Sequence, residues 1–236
     1  MKGVAVVTGG SKGLGRELVL AFGRAGYFPA ALYSADESAA ARTRELLAAE
    51  GLPGFVAKHD VISSAAELWS RPEIRDASRL VLINNACAAF QPMPMHQLDW
   101  TDFERQFAVA VKGAWLCSQA LIRPMLRSGG GTIVNLLTAA LADLPPKGFA
   151  AYVTAKHALR GFTLALAAEY APRGLRVLSA SPGFMDTPLT DAWDARFREA
   201  IRAASPRISN PDEAARRLVE LVESNAVPGQ GEDYPI

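Results

Sequence analysis

Short apolar runs rich in valine, isoleucine and leucine alternate along the chain with longer segments in which apolar residues recur at helical spacing. Short runs bounded by glycine, proline or polar clusters are typical of buried strands, and longer periodic segments are typical of amphipathic helices. The pattern predicts six strands, in residues 3–9, 28–33, 54–61, 78–86, 131–137 and 175–183.

The segments between these strands predict helices. They cover residues 16–25, 38–50, 100–127 and 152–170, then a stretch that ends at Ala204, and finally residues 210–225. Gly26 follows the first helix as the kind of residue that commonly ends one. In the last helix, Asn210 is the predicted N-cap and Pro211 the first helical residue, with acidic residues in the first turn.

Strands that alternate with helices predict an α/β fold, in which a parallel sheet is covered on both faces and the crossovers are right-handed. No linker, repeat or low-complexity tract interrupts the alternation. We therefore expect residues 1–236 to form a single doubly wound domain with a mainly parallel sheet.

Composition narrows the function classes. The chain is 50% hydrophobic and its net charge is +1, which argues against nucleic acid or a membrane surface as a partner. The start, MKGVAVVTGG, is neither a signal peptide nor long enough to span a bilayer. Cys87 and Cys117 lie in apolar runs, and the chain has no disulfide framework or metal-ligand spacing, so we expect a reducing cytoplasm and no metal.

The segment TGGSKGLGREL, residues 8–18, lies between the first strand and the first helix. Gly9, Gly13 and Gly15 let the backbone turn tightly and let a pyrophosphate approach, and the helix N-terminus favours an anion. A glycine-rich turn without a ligand is the alternative. Its position on the first strand of a βαβ pattern favours nucleotide binding.

Tyr152 and Lys156 lie four positions apart in AYVTAKHALRGF, so they share one face of a helix. Such a pair is either an ordinary surface contact or a proton donor with a cation that tunes it. The pair alone does not decide between these interpretations.

Together these motifs resemble the short-chain dehydrogenase/reductase family. TGGSKGLG is similar to the family's TGxxxGxG loop and YVTAK to its YxxxK motif; HDV (59–61), NNA (84–86) and SPGFMDT (181–187) follow in the family's order. The spacing most resembles the 3-ketoacyl-carrier-protein reductase branch. The resemblance implies a Rossmann-type fold, a nicotinamide cofactor and oxidoreductase activity.

The resemblance also implies a cofactor site. Asp60 and Val61 would meet the adenine, residues 84–86 would line the groove, and Pro182, Gly183 and Thr187 would hold the nicotinamide end. The full set of cofactor-binding residues expected is Thr8, Gly9, Ser11, Lys12, Gly13, Leu14, Gly15, Tyr33, Ser34, Asp60, Val61, Asn85, Ala86, Tyr152, Lys156, Pro182, Gly183 and Thr187.

By the same resemblance, Tyr152 protonates the carbonyl oxygen and Lys156 binds the ribose. A free tyrosine ionises near pH 10, and a fixed ammonium beside it would lower that pKa. The position of the family's carbonyl-orienting serine holds Thr138. Threonine keeps the hydroxyl, although it would also serve as a turn-capping residue.

Two further positions depart from the family pattern. Ala110 stands where the family commonly has an asparagine that binds a relay water, which puts full reductase activity in question. Cys87 replaces a usual glycine, and we interpret it as a small residue beside the cofactor rather than as a nucleophile.

The second strand ends at Tyr33 and Ser34, without the acid that grips an NAD ribose. Lys12 would contact a 2′-phosphate, helped by Ser11 and Ser34, so NADP(H) is favoured over NAD(H). Asp36 lies too far along the chain to hold the ribose by this pattern. Two alternatives to NADP(H) binding through Lys12 remain: Asp36 binds the ribose, or Lys12 is an ordinary solvated lysine.

On the substrate side, an apolar lining is expected from Phe90, Met93, Met95, Leu144, Phe149, Phe184 and Met185. Such a lining suits a ketone on an aliphatic or aromatic skeleton. In the family branch, arginines near the site bind an acyl carrier protein. Arg127 and Arg173 are the candidates for this role here. The alternative is that both are cations that stabilise the C-terminal ends of helices.

The sequence therefore predicts an NADPH-dependent carbonyl reductase that acts on a small-molecule ketone, which an acyl carrier protein could present as a thioester. The family also implies a homotetramer or homodimer, built on the helices at 100–127 and 152–170. Two alternatives remain: non-redox chemistry on the same fold, such as dehydration or cyclisation, and a catalytically silent NADP-binding protein.

Overall fold

A computed structural model describes residues 1–63, 69–205, 207–224 and 230–236. Its centre is a sheet in which every strand pairing is parallel, in the order β3-β2-β1-β4-β5-β6-β7. The strands are β1 (Val4–Thr8), β2 (Phe28–Tyr33), β3 (Phe55–Lys58), β4 (Leu80–Asn84), β5 (Gly131–Leu136), β6 (Leu175–Ser181) and β7 (Asp233–Pro235).

The helices alternate with the strands and cover both faces of the sheet. They are α1 (Gly13–Arg24), α2 (Glu37–Ala49), the short α3 (Pro72–Arg75), α4 (Trp100–Phe107), α5 (Gly113–Arg127), α6 (Ala150–Tyr170), α7 (Ala195–Ala204) and α8 (Pro211–Glu223). The predicted doubly wound α/β fold is confirmed. None of the helices described is both long and apolar enough to cross a membrane.

Two apolar clusters sandwich the sheet. On one face, Leu18 and Phe22 of α1 pack with Leu218 of α8 against the strands. On the other face, Leu121 of α5 and Leu166 of α6 pack against the opposite sides of the same strands. Because parallel strands are buried on both faces, they read as continuous apolar runs rather than alternating ones.

The order of the strands reverses between β1 and β4, since β2 lies on one side of β1 and β4 on the other. Chain segments leave this pair toward opposite faces, which opens a crevice at the carboxyl ends of the strands. The glycine loop after β1 and the NNA segment after β4 therefore meet at one edge of the sheet.

The helix predicted over residues 100–127 is interrupted. A wide π turn (Ala108–Lys112) separates α4 from α5, and the Gly113 amide donates to the Ala108 carbonyl. Single π turns insert one extra residue into a helix. Ala110 is buried in this turn, 4% exposed.

Most predicted boundaries agree with the structure to within a few residues. The first helix begins three residues earlier than predicted, at Gly13, because the glycine loop itself supplies its first turn. Asn210 caps α8 by accepting bonds from the Asp212 and Glu213 amides at 2.9 and 3.4 Å, as predicted. Asn225, the predicted last residue of that helix, lies outside the described residues, and the sequence analysis missed β7.

Candidate active site

A cavity of about 410 Å³ opens at the carboxyl ends of the strands. Most of the predicted cofactor residues line it, and they come from the glycine loop, the ends of β2 to β4, helix α6 and the segment after β6. These residues are Gly9, Ser11, Lys12, Gly13, Leu14, Gly15, Tyr33, Ser34, Asp60, Val61, Asn85, Ala86, Tyr152, Lys156, Pro182 and Thr187.

The glycine loop has the shape of an anion cradle. Gly9 and Gly13 adopt φ angles of +64° and +54°, which side chains disfavour. A Cβ at Gly15 would lie 2.0 Å from the Gly9 carbonyl oxygen. Helix α1 begins at Gly13 without a side-chain cap, so amides of its first turn remain available to a bound anion. The loop therefore fits a pyrophosphate.

Thr8 joins the two halves of the crevice without lining the cavity. Its hydroxyl accepts from the Asn85 and Ala86 amides, both at 3.0 Å. In return, the Asn85 side-chain amide donates to the carbonyls of Thr8 (2.8 Å) and Gly9 (3.2 Å). The buried Thr8 thus positions the groove from behind.

Gly183 also stays behind the cavity surface. Its amide donates to the Ser209 hydroxyl at 2.9 Å, and a Cβ there would lie 2.5 Å from the Arg207 carbonyl oxygen. This glycine allows the segment after β6 to pass close to residues 207–209, while Pro182 beside it faces the groove.

An ion pair stands at the end of β2. Lys12 Nζ lies 2.8 Å from Asp36 Oδ2, and both residues line the cavity. The Lys12 bond, with those from the Ala39 amide and Ser38, lowers the pKa of Asp36 to about 2. The expectation that Asp36 lies out of reach was wrong, because this carboxylate is also the N-cap of α2 and the cap brings it back to the groove.

His59 and Arg105 extend the lining beside Asp60 and Val61. His59 packs edge-on against Trp69 with ring centroids 5.6 Å apart, and burial lowers the pKa of its imidazole. Gly113, at the start of α5, lets Val61 pack closely, since a Cβ there would lie 2.6 Å from a Val61 methyl group.

Tyr152 and Lys156 meet on the buried face of α6, with Lys156 Nζ 5.8 Å from the centre of the Tyr152 ring. Lys156 is 3% exposed and donates to the Leu136 carbonyl at 2.6 Å. Burial lowers the pKa of this lysine. The pair is therefore an interior one, and the surface-pair interpretation is wrong.

The pKa of Tyr152 moves against our expectation. Burial of its phenol raises this pKa, the neighbouring Cys87 raises it further, and a hydrogen bond from Thr138 opposes both. We expected Lys156 to lower it. Desolvation is the largest cause, because burial disfavours the charged phenolate.

Thr138 has two partners. Its hydroxyl caps the short turn Ala139–Leu141 by accepting from the Ala140 amide at 3.3 Å, and its side chain also lowers the pKa of the neighbouring Tyr152 phenol. The structure thus shows the capping role of Thr138, whereas its role in orienting a carbonyl stays a prediction, since Thr138 does not line the cavity.

Cys87 lies beside Tyr152 and Lys156 in the cavity wall. Its thiol donates a weak bond to the Ala88 carbonyl at 3.6 Å. Burial raises the pKa of this thiol, so it remains a neutral thiol rather than a nucleophilic thiolate.

The predicted apolar substrate lining is only partly brought together. Met95 and Leu144 are 65% and 97% exposed, so their assignment to the lining was wrong. Phe90, Phe149 and Phe184 instead join a cluster around Tyr152. Trp193 and Phe197 belong to the same cluster and were missed; their signal is an aromatic pair four residues apart on either side of the helix cap Asp194.

Gln106 was also missed. It is 2% exposed, and its side-chain amide donates to the Ala88 carbonyl at 3.2 Å, whereas its Oε1 has no partner. A glutamine in a charged helical segment carries no sequence signal of burial. This residue ties α4 to the loop that carries Cys87.

Comparison with known proteins places this geometry in a family. Residues 3–197 match the family described as short chain dehydrogenase. The chain is 31% identical over 230 residues to the cis-4-hydroxycyclohexanecarboxylate dehydrogenase of Sinomonas cyclohexanicum. This match covers 94% of this chain and 90% of that protein.

A 3-oxoacyl-[acyl-carrier-protein] reductase of Staphylococcus aureus is also 31% identical, over 228 residues that cover 94% of this chain and 91% of the reductase. Among solved structures, a putative NAD(P)-dependent gluconate 5-dehydrogenase from Beutenbergia cavernae with bound NADP is similar, with a TM-score of 0.86 and 28% identity. That match covers 98% of this chain and 94% of the other.

Gly15→Ala should destabilise the protein, because the new Cβ would collide with the Gly9 carbonyl oxygen and displace the loop. We expect a loss of about 1–3 kcal/mol in the free energy of unfolding, measured by urea denaturation. Gly161→Ala on α6 is the matched control, since a Cβ there meets nothing within 4 Å and should stabilise the helix slightly. Equal effects of the two substitutions would contradict this account of the loop.

Proposed function

The chain belongs to the short-chain dehydrogenase/reductase family, and we propose that it is an NADPH-dependent carbonyl reductase that transfers hydride to a ketone on an apolar or acyl-thioester skeleton. The observation that carries the proposal is the trio at the inner end of the groove. There Tyr152 and Lys156 both line the groove, with Lys156 Nζ 5.8 Å from the centre of the Tyr152 ring, and Thr138 is close enough to lower the pKa of the Tyr152 phenol.

The residues that would hold the dinucleotide are those of the groove. The uncapped start of α1 and the glycines would receive the pyrophosphate, Asp60 and Val61 the adenine, and Pro182 and Thr187 the nicotinamide end. The bound nicotinamide would supply the hydride. Lys156 would donate to the ribose while its bond to the Leu136 carbonyl fixes its position.

Tyr152 would be the general acid and Thr138 the group that orients the carbonyl oxygen. Because burial raises the pKa of Tyr152, its phenol stays protonated at neutral pH and is ready to donate. In the reverse direction the phenol must lose this proton, and the Lys156 ammonium would then stabilise the phenolate.

NADP(H) is the cofactor that we favour over NAD(H). Lys12 is a cation at the groove wall, and Ser11 and Ser34 line the same end. A 2′-phosphate would bind Lys12 in competition with Asp36, and the bound NADP of the gluconate 5-dehydrogenase relative supports this preference. Asp36 binding a ribose hydroxyl is the rival arrangement.

Small ketones are the substrates that the relatives suggest, since the names of two similar proteins specify a cyclic hydroxy acid and a 3-oxoacyl thioester. Ala110 keeps a second candidate open, because its methyl group cannot hold a water by hydrogen bonding. That candidate is non-redox chemistry such as dehydration, with Tyr152 as the acid-base group. Such turnover would leave the nicotinamide absorbance unchanged.

We further propose a homodimer or homotetramer in the cytoplasm. Trp100 on α4, Trp115 on α5 and Leu164 on α6 are 71%, 45% and 51% exposed, and these are the helices expected to pair. Large exposed apolar side chains favour an interface. Both cysteines are free thiols, in keeping with a reducing compartment.

Tyr152→Phe should lower kcat for ketone reduction by about 10²–10⁴-fold, because it removes the proton donor. Nucleotide affinity, measured by quenching of protein fluorescence, should stay nearly unchanged. Tyr170→Phe, at the far end of the same helix, is the matched control. Retention of full activity by Tyr152→Phe would contradict the proposed acid.

Lys12→Ala should weaken NADPH binding by about tenfold while changing NADH binding little, since only the 2′-phosphate needs the cation. Calorimetric titration with both nucleotides provides the measurement. Lys58→Ala is the control, because Lys58 pairs with Glu37 outside the cavity lining. If Asp36→Asn instead abolishes NADH binding and the wild type binds NADH more tightly, Asp36 is the ribose ligand and the cofactor assignment fails.

Sedimentation of the wild-type protein should give the mass of a dimer or tetramer, and Trp115→Glu should shift it toward the monomer by placing a charge in the interface. Met95→Glu is the control, an equally drastic change at an exposed residue outside these helices. A monomeric wild type at micromolar concentration would rule out the assembly.

A further inference from the structure

Four aromatic side chains form a cluster beside the ring of Tyr152, and we call them the aromatic wall: Phe90, Phe149, Trp193 and Phe197. Phe90 lies parallel to the Tyr152 ring, with centroids 4.9 Å apart and an interplanar angle of 14°. Phe149 meets the same ring edge-on at 5.9 Å. Trp193 closes the cluster, with its ring 5.3 Å from that of Phe90 and 5.4 Å from that of Phe149.

Hydrogen bonds between two loops hold the aromatic wall together. The Trp193 indole N–H donates to the Phe90 carbonyl at 2.8 Å, and the Gln91 side-chain amide donates to the Ala192 carbonyl at 2.6 Å. Residues 90 and 91 follow β4, whereas residues 192 and 193 follow β6. The loops after these strands are therefore tied to each other beside Tyr152.

The aromatic wall fills space rather than lining it. None of its four members borders the cavity, although Tyr152 does. Centroid separations of 4.9–6.5 Å are those of rings in direct contact, and Leu141, Phe184 and Ile201 pack around them. A carbonyl would therefore reach the Tyr152 hydroxyl from the groove, past Cys87, Met185 and Leu189.

We propose that the aromatic wall is a size filter, which restricts the enzyme to compact ketones and excludes long acyl chains, with Phe90 and Trp193 as the specificity-determining residues. This inference rests on the proposed reductase function. A long chain that extends from the reacting carbonyl toward the wall would have to displace rings in mutual contact, whereas a compact molecule held in the groove would leave them in place.

The positions of Arg127 and Arg173 agree with this restriction. Arg127 ends α5 just before β5, and Arg173 directly precedes the turn into β6. Both arginines therefore lie at the amino ends of strands, at the edge of the sheet opposite Tyr152. Within one chain they do not border the entrance that an acyl thioester would use.

The test compares the reduction of butanone, cyclohexanone, 2-decanone and a long-chain 3-ketoacyl pantetheine thioester, followed at the nicotinamide absorbance with NADPH. For the wild type, kcat/KM for the compact ketones should exceed that for the long substrates by at least about tenfold. Phe90→Ala should raise the long-to-compact ratio of kcat/KM by about tenfold, mainly by lowering KM for the long substrates. A ratio is used because any disturbance of Tyr152 affects both substrates alike.

Trp193→Phe keeps an aromatic ring, although a smaller one, and removes the N–H donor to the Phe90 carbonyl, so it should raise the ratio by a smaller factor. Leu144→Ala is the control on a fully exposed side chain and should leave the ratio unchanged. Phe90→Leu replaces Phe90→Ala if the alanine variant does not fold, as judged by thermal melting.

Two outcomes would overturn the size filter alone: equal kcat/KM for compact and long substrates in the wild type, or an unchanged ratio in a folded Phe90 variant. Failure of the wild type to reduce any ketone with either nicotinamide would overturn the reductase function itself. The two failures are thus distinguishable in one assay.

Discussion

The hydrogen bonds between Thr8 and the segment after β4 are the constraint on which the site depends. The Thr8 hydroxyl accepts both amides of Asn85 and Ala86, and the Asn85 side chain returns two bonds to the glycine loop. These contacts hold the ends of β1 and β4 together at the point where the strand order reverses. The same contacts set where the chain continues to Cys87 and Phe90, so the nucleotide cradle and the aromatic wall share one anchor.

Burial of charge is the second organising feature. Lys156 is almost completely buried, yet its ammonium group donates its hydrogen bond to the main-chain carbonyl of Leu136 rather than to a carboxylate. An ammonium in such surroundings has a lowered pKa and a phenol beside it a raised one. Both shifts favour the neutral forms. The protein's own interior thus favours the protonated form of Tyr152.

The sequence predicted what depends on local pattern and failed where distant segments meet. Apolar runs, glycines and the Asn210 cap act over a few residues, so the strands, the loop and α8 could be predicted. The position of Asp36 depends on a cap that folds back toward Lys12, and the burial of Gln106 depends on the carbonyl of Ala88. Trp193 meets Phe90 across more than one hundred residues. The three residues of β7 are too short a run to stand out by periodicity.

The π turn between α4 and α5 changes the direction in which the side chains of α4 point relative to those of α5. One extra residue in a helix rotates the preceding part relative to the following part by about 100°. Gln106 can therefore contact the loop that carries Ala88, while Cys117 and Leu121, further along the same helix axis, pack in the apolar cluster against the sheet. The interrupted helix from α4 to α5 thereby contacts both the loop after β4 and the apolar cluster against the sheet, which lie in different directions. A regular α-helix through the same residues would place Gln106 and Cys117, which are eleven positions apart, on nearly the same side, so one of the two contacts would be lost.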